Sequence, residues 1–538
     1  MTVYFAVSLY LSYLRALEFT TSNWDLGIFQ QALWTTGRGF VLYESGDWET
    51  WRTISFLQVH PAPILFLLVP VYTVAPSFVT LFVVQSGAVA ATAYPLFRLG
   101  TRVLGSERRG VLVAIGFLAY APVLTANLYD FHLEAFIPFE LALFFLLWSS
   151  GRYWAGLAVA GAAFTTLEVT PFLLSAVALY FLIAPVRWAP DGGPGSWGRA
   201  VGRTVGQFVR QAVGPSGRWQ LALIGLAVAA YVALRAFEWT ILPALVGAPP
   251  LGSATTLGVG DIATPSTIGL TFDFGFGLAT KLGYWFLLVA LLGFLPLLAP
   301  RLLVLSAPWF FFTVQSDRLA WTLLGFQYGF IAAVPLVIAA TYGGERLLHR
   351  WIPWARAQWI ARSRPIRVPA PLARYAVRAG RARLSTIGVG LLVLVIVVNL
   401  TFTPINPGRQ NLQSALSGFR VAYHAPPGYD AVAALAAQIP GDGQVLASDD
   451  LFPLVANDPT AYSLLWTTDL PTFLPYDAAH LPTYVFLAGN QEGAVPDWLW
   501  HALSNLTVYG LVGVVWNTPA SSVYLWELGY TGPTTSVP

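Results

Sequence analysis

Long apolar runs separated by short polar segments fill residues 1–403 of the chain. A helix needs roughly 20 apolar residues to cross a hydrocarbon core of about 30 Å, and it satisfies its own backbone hydrogen bonds. The pattern therefore predicts a polytopic α-helical membrane protein with about 11 transmembrane helices. The predicted spans are 2–18, 77–101, 110–128, 134–149, 154–168, 170–186, 219–243, 279–298, 300–315, 327–344 and 385–403.

Two stretches depart from a simple spanning pattern. Glu168 interrupts the apolar run that contains the spans 154–168 and 170–186. Residues 61–76, with the sequence PAPILFLLVPVYTVAP, are apolar but short and broken by prolines. Their length favours a helix that lies in the outer interface of the membrane over one that crosses it.

Residues 404–538 follow a different pattern. The segment 429–438 has helical spacing, and the sequence IPGDGQVLASDD that follows predicts a short strand between turns. The runs 483–488, 511–516 and 523–530 also predict strands. This alternation predicts a small soluble α/β domain at the C-terminal end.

Composition agrees with a membrane protein. The 538 residues are 56% hydrophobic and 10% charged, and the mean hydropathy is +0.62. Soluble domains carry about 25% charged residues, so lipid must cover much of this surface. The chain contains no cysteine, which excludes disulfides, thiolate catalysis and cysteine-ligated metals.

Residues 2–18 lack the basic start and cleavage site of a signal peptide, so we interpret them as a retained span.

Positive charge gathers in three segments that lie between apolar spans, which argues against a nucleic-acid partner. Their arginines are Arg102, Arg108, Arg109; Arg187, Arg199, Arg203, Arg210, Arg218; and Arg346, Arg350, Arg356, Arg362, Arg364, Arg367, Arg374, Arg378, Arg381, Arg383. Cytoplasmic loops are rich in Lys and Arg. We therefore predict a multi-pass protein of the cell membrane with a cytoplasmic N-terminus and an extracytoplasmic C-terminal domain. The basic loops 187–218 and 345–384 are then cytoplasmic, and the loops 19–76, 244–278 and 316–326 are external.

Asp25 is the first candidate for chemistry in the external loops. It lies in the sequence NWDLGIFQQALW, where an external helix would begin. Asp is a favoured residue at helix N-caps, so one interpretation is a cap. The alternative is a general base that faces a cavity and takes a proton from an acceptor hydroxyl.

Histidines and further carboxylates follow in two external segments. His60, in VHPAP, could bind a phosphate, orient a base or lie at the headgroup level. Asp130, His132 and Glu134, in LYDFHLEAF, point to one side in an extended chain, whereas only Asp130 and Glu134 share a face in a helix. The three residue types are also those of metal sites, which leaves a divalent cation open.

The remaining candidates lie at predicted external span ends. Glu168 needs a partner if buried, and a structural pair with Arg235 or Lys281 is an alternative to a direct role. Lys281 and Arg318 could bind a lipid phosphate, although long cationic side chains also reach the headgroups without such a role. Gln327 and Tyr328 lie close to Arg318 in sequence and could line the same space.

Taken together, these segments resemble a known family. DLGIFQQALW after the first span, HPAP before an apolar stretch and DFHLEAF after the third span resemble the predicted membrane proteins called domain of unknown function 2079. FQYGFIAAVPL (326–336) and the terminal WELGYTG are similar to that family as well.

The family in turn looks similar to the GT-C glycosyltransferases, which include protein mannosyltransferases, oligosaccharyltransferase subunits and lipid A aminoarabinose transferases. In those enzymes an acidic residue follows the first span and interfacial helices come next. The resemblance implies a GT-C-like fold in which Asp25 is the catalytic base and a polyprenyl-phosphate-linked sugar is the donor. It implies that His60, Lys281 or Arg318 stabilises the departing phosphate, and that Asp130, His132 and Glu134 bind sugar or a metal. The acceptor, a glycan, lipid or protein, stays open.

Two other classes of function remain open. A lipid or solute transporter or flippase would place charges near the bilayer midplane and have pseudo-symmetric halves. A non-catalytic membrane assembly protein would have no cavity shared by Asp25 and the segment around Asp130. The transferase interpretation instead predicts that Asp25, His60, Asp130 and His132 meet in one external cavity.

Single cysteines test the predicted sidedness, because each would be the only thiol in the chain. We expect a membrane-impermeant maleimide to label Asn505→Cys in intact cells. Gln358→Cys, in the basic loop 345–384, should react only after the membrane is permeabilised. Labelling of Gln358→Cys in intact cells would reverse the predicted topology.

Overall fold

The structure, a computed structural model, describes most of the chain. The described residues are 1–185, 197–246, 277–316, 318–354, 358, 390, 393–400, 424, 426–465 and 473–538. Three sequence predictions fall largely outside them, namely the external loop 244–278, most of the basic loop 345–384 and most of the span 385–403.

Helices dominate the described residues before 401. Their bounds are α1 Thr2–Leu17, α2 Ile28–Thr36, α3 Gly46–Trp51, α4 Leu65–Val74, α5 Phe78–Leu104, α6 Glu107–Leu118, α7 Ala121–Leu128, α8 Ile137–Ser149, α9 Tyr153–Ala163, α10 Thr170–Ile183, α11 Trp197–Val213, α12 Pro215–Ala236, α13 Leu242–Leu245, α14 Leu278–Ala290, α15 Ala307–Gln315 and α16 Gly329–Arg346. Residues 393–400 are also helical. The helices bury one large apolar core, to which α5, α8, α10 and α16 all contribute.

Three of the described helices are long and apolar enough to cross a membrane. They are Phe78–Leu104, Pro215–Leu245 and Gly329–Trp354, and α6 with α7 forms a fourth candidate that is bent by 47°. Several others, such as the 16-residue α1 and the 14-residue α10, are shorter than a full span. The apolar helices overlap the predicted apolar runs, whereas α2, α3 and α11 lie in predicted loops. The count of eleven crossings stays a prediction.

The region around Glu168 is a break between helices, as the interrupted pattern predicts. The helix α9 ends at Ala163 and α10 begins at Thr170. The predicted interfacial stretch 61–76 contains the 10-residue helix α4. At 1.5 Å per residue this helix is about 15 Å long, too short to cross a bilayer.

A six-stranded mixed sheet occupies the C-terminal part. The strands are β1 Val445–Ser448, β2 Tyr462–Leu464, β3 Tyr484–Ala488, β4 Tyr509–Thr518, β5 Ser521–Leu528 and β6 Thr535–Val537, in the spatial order β2-β1-β3-β5-β4-β6. The associated helices are α17 Tyr429–Ala436, α18 Phe452–Val455 and α19 Asp497–Leu503. Four strands match predicted runs. The three-residue strands β2 and β6 were missed, because so short a run carries little periodicity.

The sheet packs directly on the first loop. The side-chain amide of Gln31, in α2, donates to the carbonyls of Asp458 and Ala461 at 2.8 and 3.1 Å. Tyr72, in α4, donates to the Asn457 side chain at 2.9 Å. The loop therefore lies between the helical core and the sheet.

The helix α16 packs closely on the segment around Leu295, at a position where it carries a glycine. A Cβ atom on Gly343 would lie 1.9 Å from the carbonyl oxygen of Leu295, whereas one on Gly344 would meet nothing within 4 Å. We expect Gly343→Ala to lower the melting temperature of the purified protein, because separating the two segments costs about 1–3 kcal/mol. Gly344→Ala is the matched control and should leave the temperature unchanged or raise it. Equal effects of the two substitutions would contradict the packing.

Candidate functional site

Asp25 lies on a single π-helical turn, Asn23–Gly27, immediately before α2. The amides of Leu26 and Gly27 both donate to the carbonyl of Ser22 at 3.0 Å, which closes this turn. The Asp25 side chain does not cap α2, because the N-cap residue is Gly27 and no side chain caps it. The N-cap interpretation of Asp25 is therefore wrong.

The Asp25 carboxylate has polar partners from a distant segment. The Tyr129 hydroxyl donates to its Oδ2 atom at 2.6 Å, and the Nε2 atom of His132 lies 2.9 Å from its Oδ1 atom. The Ser22 hydroxyl donates to Oδ2 at 3.3 Å. These contacts bring the turn before α2 together with the segment after α7.

The hydrogen bonds of His132 locate its protons. Its Nδ1 atom lies 3.0 Å from the carbonyl oxygen of Asp130, which can only accept, so Nδ1 carries a proton. Burial disfavours the charged ring, but Asp25, with smaller contributions from Glu134 and the Asp130 carbonyl, raises the pKa of His132 to about 9. Burial likewise opposes the charge of Asp25, yet His132 brings its pKa below the usual value. The pair is therefore an imidazolium and a carboxylate at neutral pH.

Asp130 makes no contact with the cavity and is buried among other partners. It is 1% exposed and forms a salt bridge with Arg15 at the end of α1. The amide of Ser22 also donates to its Oδ2 atom at 3.1 Å. Asp130 does not line the cavity described below, so the prediction that it faces the same cavity as Asp25 is wrong.

A second histidine–carboxylate pair joins the first loop to the break between α9 and α10. The Nδ1 atom of His60 lies 3.1 Å from Oε1 of Glu168. Arg235 lies 3.9 Å from the same oxygen and 2.6 Å from Glu238. Burial opposes the charge on His60, but Glu168, with smaller contributions from Glu134 and Asp47, raises the pKa of the imidazole. Glu168 thus has the predicted partner Arg235, together with His60.

Both pairs border one cavity of about 290 Å³. Its residues come from the first loop, from the segments around His132 and Glu168, and from residues 309–331. The lining residues are Trp24, Asp25, Ile28, Phe29, Asp47, Trp51, Phe56, Val59, His60, His132, Leu133, Glu134, Leu167, Glu168, Val169, Phe172, Trp309, Phe312, Arg318, Trp321, Gln327, Tyr328 and Ile331.

Eight of the ten predicted site residues line this cavity, and two do not. The eight are Asp25, His60, His132, Glu134, Glu168, Arg318, Gln327 and Tyr328. Lys281 is buried and donates to the carbonyl of Val314 at 3.0 Å, so the prediction that it shares the site is wrong. The Oε1 atom of Gln327 is buried and has no hydrogen-bond partner among the described residues.

Sequence reasoning missed Asp47 and much of the aromatic lining. Asp47 and Trp51 both belong to the short helix α3 and both reach the cavity. The sequence ESGDWETW around them places three carboxylates and two tryptophans in one predicted external loop. Ionisable side chains near a membrane are energetically unfavourable, so this cluster of carboxylates could have identified the segment as part of a functional site.

A metal site does not form from the predicted trio. Asp130 is paired with Arg15, away from the cavity that His132 and Glu134 line. In the part of the chain that the structure describes, no three His, Asp or Glu side chains are grouped as metal ligands would be.

The His132–Asp25 pair makes the melting temperature depend on pH. A pKa raised to about 9 in the folded state gives stability that is complete below the unfolded value of about 6.5. That stability is lost as the pH rises through about 9. We expect the melting temperature to fall more steeply between about pH 7 and pH 10 in the wild type than in His132→Gln. His480→Gln changes an exposed histidine and should keep the wild-type slope; equal slopes for all three proteins would contradict the ion pair.

Comparisons with known proteins give one family and a distant structural likeness. No curated protein matches the chain. It is similar to ArnT from Cupriavidus metallidurans bound to undecaprenyl phosphate, with 13% identity, a TM-score of 0.45 and 99% of both chains covered. For ArnT in the apo state the identity is 14% and the TM-score 0.42, with 99% of this chain and 98% of that chain covered. The model of the predicted membrane protein family DUF2079 matches residues 15–495. The resemblance found in the sequence is thereby confirmed, and the chain belongs to the DUF2079 family of membrane proteins.

Proposed function

We propose that this protein is a GT-C-type membrane glycosyltransferase. It transfers a sugar from a polyprenyl-phosphate donor to an acceptor hydroxyl on the external face of the cell membrane. The observation that carries the proposal is a carboxylate, Asp25, that His132 keeps ionised in a cavity also bordered by Arg318 and by His60, an imidazole whose pKa is raised. A base and phosphate-binding cations within one site are what such a transfer needs.

Asp25 is the general base in this mechanism. Both nitrogens of the His132 imidazolium carry protons and are occupied, so His132 cannot accept another proton. Asp25 keeps 20% of its side chain exposed and borders the cavity. Its low pKa makes it a weak base, which suits a reaction in which the hydroxyl loses its proton only as the new bond forms.

The bond changes follow from this assignment. The acceptor oxygen attacks the anomeric carbon while its proton moves to Asp25. The bond from that carbon to the phosphate oxygen breaks, and the bonding electrons leave with the phosphate. Attack opposite the leaving group inverts the anomeric configuration. His60 and Arg318 stabilise the charge that develops on the phosphate, and neither needs to donate a proton.

The other predicted residues bind the substrates around this centre. Glu134, Gln327 and Tyr328 border the cavity and offer hydrogen-bonding groups to the sugar or the acceptor. Tyr328 stacks on Trp309 with ring centroids 6.0 Å apart, which gives that wall a large aromatic surface. Glu168 acts through His60 by holding its imidazole in place.

The membrane arrangement belongs to the same proposal. About 11 helices, from residues 1–403, cross the cell membrane with the N-terminus in the cytoplasm. Residues 404–538 form an extracytoplasmic domain that contributes to acceptor recognition. The donor's polyprenyl chain lies in the outer leaflet among the membrane lipids, beside the cavity.

The rival functions predict other arrangements. A transporter would need its charges near the bilayer midplane, whereas Asp25, His60 and Asp47 all belong to the loop 19–76 between the first two predicted spans. An assembly protein has no need for two histidine–carboxylate pairs around one cavity. These features favour the transferase over both.

Substitution of Asp25 tests the proposal. We expect Asp25→Asn to reduce sugar transfer by about 10²- to 10⁴-fold, because the amide keeps the shape and loses the base. Lipids that copurify with the wild type, identified by mass spectrometry, supply the donor for the assay. The exposed residue Asp430 gives the matched control Asp430→Asn, which should keep full transfer. Unchanged transfer in folded Asp25→Asn, or the absence of any copurifying polyprenyl phosphate, would reject the proposal.

A further inference from the structure

The helix α3, Gly46–Trp51, has one face toward the cavity and another toward the C-terminal sheet. Asp47 and Trp51 are four residues apart, so they share one face, and both line the cavity. Trp48 and Glu49 point away from that face and contact the C-terminal sheet. The helix therefore separates the cavity from the sheet.

Asp47 presents a carboxylate to the cavity. Burial, together with the nearby charge of Asp47, raises the pKa of Glu44 well above its usual range, so Glu44 keeps its proton. Burial also raises the pKa of Asp47, to about 6, which leaves it ionised at neutral pH. Unlike Asp25 and Glu168, this carboxylate has no histidine within ion-pair distance among the described residues. It accepts a hydrogen bond from the protonated Glu44 side chain, and its other lone pairs can accept hydrogen bonds from a ligand.

The rest of the cavity suits a small polyhydroxylated ring. Trp51 offers a flat apolar surface on which the C–H face of a sugar can pack. The unpartnered Oε1 atom of Gln327, which is 7% exposed, is a second acceptor for a ligand donor. A volume of about 290 Å³ lies at the lower end of the range for small-molecule sites, which favours one sugar unit over an oligosaccharide.

The sheet holds α3 in position from behind. The Oε1 atom of Glu49 accepts a hydrogen bond from the Ser463 amide in β2 at 2.7 Å. The amide of Phe473 donates to the Glu49 carbonyl at 2.8 Å. Trp48 packs edge-on against Tyr462 with ring centroids 6.0 Å apart. The C-terminal sheet therefore fixes the orientation of the cavity face of α3.

We propose that α3 is the sugar-binding subsite, in which Asp47 accepts hydrogen bonds from hydroxyl groups of a single donor sugar and Trp51 packs on its ring. Glu49 is a positioning residue that acts through α3. The assignment rests on the proposed function, because it takes the ligand to be a polyprenyl-phosphate-linked monosaccharide. It adds a direct role for the first loop in recognising the sugar, separate from the base and the phosphate-binding cations.

Native mass spectrometry of the full-length protein tests the subsite. The probes are undecaprenyl phosphate and its glucose, mannose, galactose and arabinose conjugates. We expect the wild type to bind at least one conjugate about tenfold more tightly than the bare lipid, as one good hydrogen bond to a charged group allows. Asp47→Asn and Trp51→Leu should reduce this preference to about twofold or less, with bare-lipid affinity unchanged.

Matched variants separate recognition from misfolding. Asp430→Asn and Trp154→Leu change an exposed carboxylate and an exposed tryptophan, and both should keep the tenfold preference. Trp51→Phe retains an aromatic ring and should keep part of the preference for the glycosylated lipid. A preference that persists in Asp47→Asn, or one that the wild type lacks while binding the bare lipid, would overturn the subsite alone. Failure to bind any of these lipids would instead overturn the proposed function.

Glu49 gives an independent test of positioning. Glu49→Ala removes the acceptor for the Ser463 amide, whereas Glu49→Gln retains a side-chain oxygen there. We expect the alanine variant to lose the preference for the glycosylated lipid and the glutamine variant to keep it. Bare-lipid affinity should stay constant in both. Loss of affinity for both lipids in Glu49→Ala, or an unchanged preference, would contradict the positioning role.

Discussion

The buried salt bridge between Arg15 and Asp130 underlies the arrangement of the candidate site. It joins the end of the first helix to the segment after α7, and Asp130 also binds the Ser22 amide just before Asp25. Tyr129 precedes Asp130 by one residue and His132 follows it by two. The same salt bridge therefore brings both side chains to the Asp25 carboxylate. Removing one partner of a buried ion pair typically costs about 3–5 kcal/mol, because the other charge stays buried.

The two histidine–carboxylate pairs have the same chemistry and different accessible atoms. In the first, both His132 nitrogens are occupied, and the accessible group is the Asp25 carboxylate. In the second, Glu168 occupies only Nδ1 of His60, whose side chain is 36% exposed. One pair therefore offers a carboxylate to the cavity, and the other offers an imidazole whose pKa is raised. A base and a phosphate-binding group at one cavity suit the proposed substrates, which have a hydroxyl proton to lose and a phosphate to release.

The C-terminal sheet and the first loop form a continuous packed unit. Gln31, Glu49 and Tyr72 each bind the C-terminal part, so α2, α3 and α4 all contact it. Short helices have little core of their own, and packing against a sheet restricts their motion. The sheet therefore stabilises the loop that carries Asp25, Asp47 and His60, in addition to any role in binding an acceptor.

The sequence alone determined the membrane class, the positions of the apolar helices, four of the six strands and the family, because these depend on local periodicity and composition. It also identified eight residues of the cavity, six because charged side chains are rare near a membrane and two, Gln327 and Tyr328, because they lie close to Arg318 in sequence. Only the tertiary structure decided that Asp130 pairs with Arg15, that Lys281 lies apart, and that Asp47 and Trp51 face the site. Those outcomes depend on which side chains meet across 33 to 115 residues of sequence or on which face of a short helix is covered. Such contacts arise from packing, and local sequence patterns do not encode them.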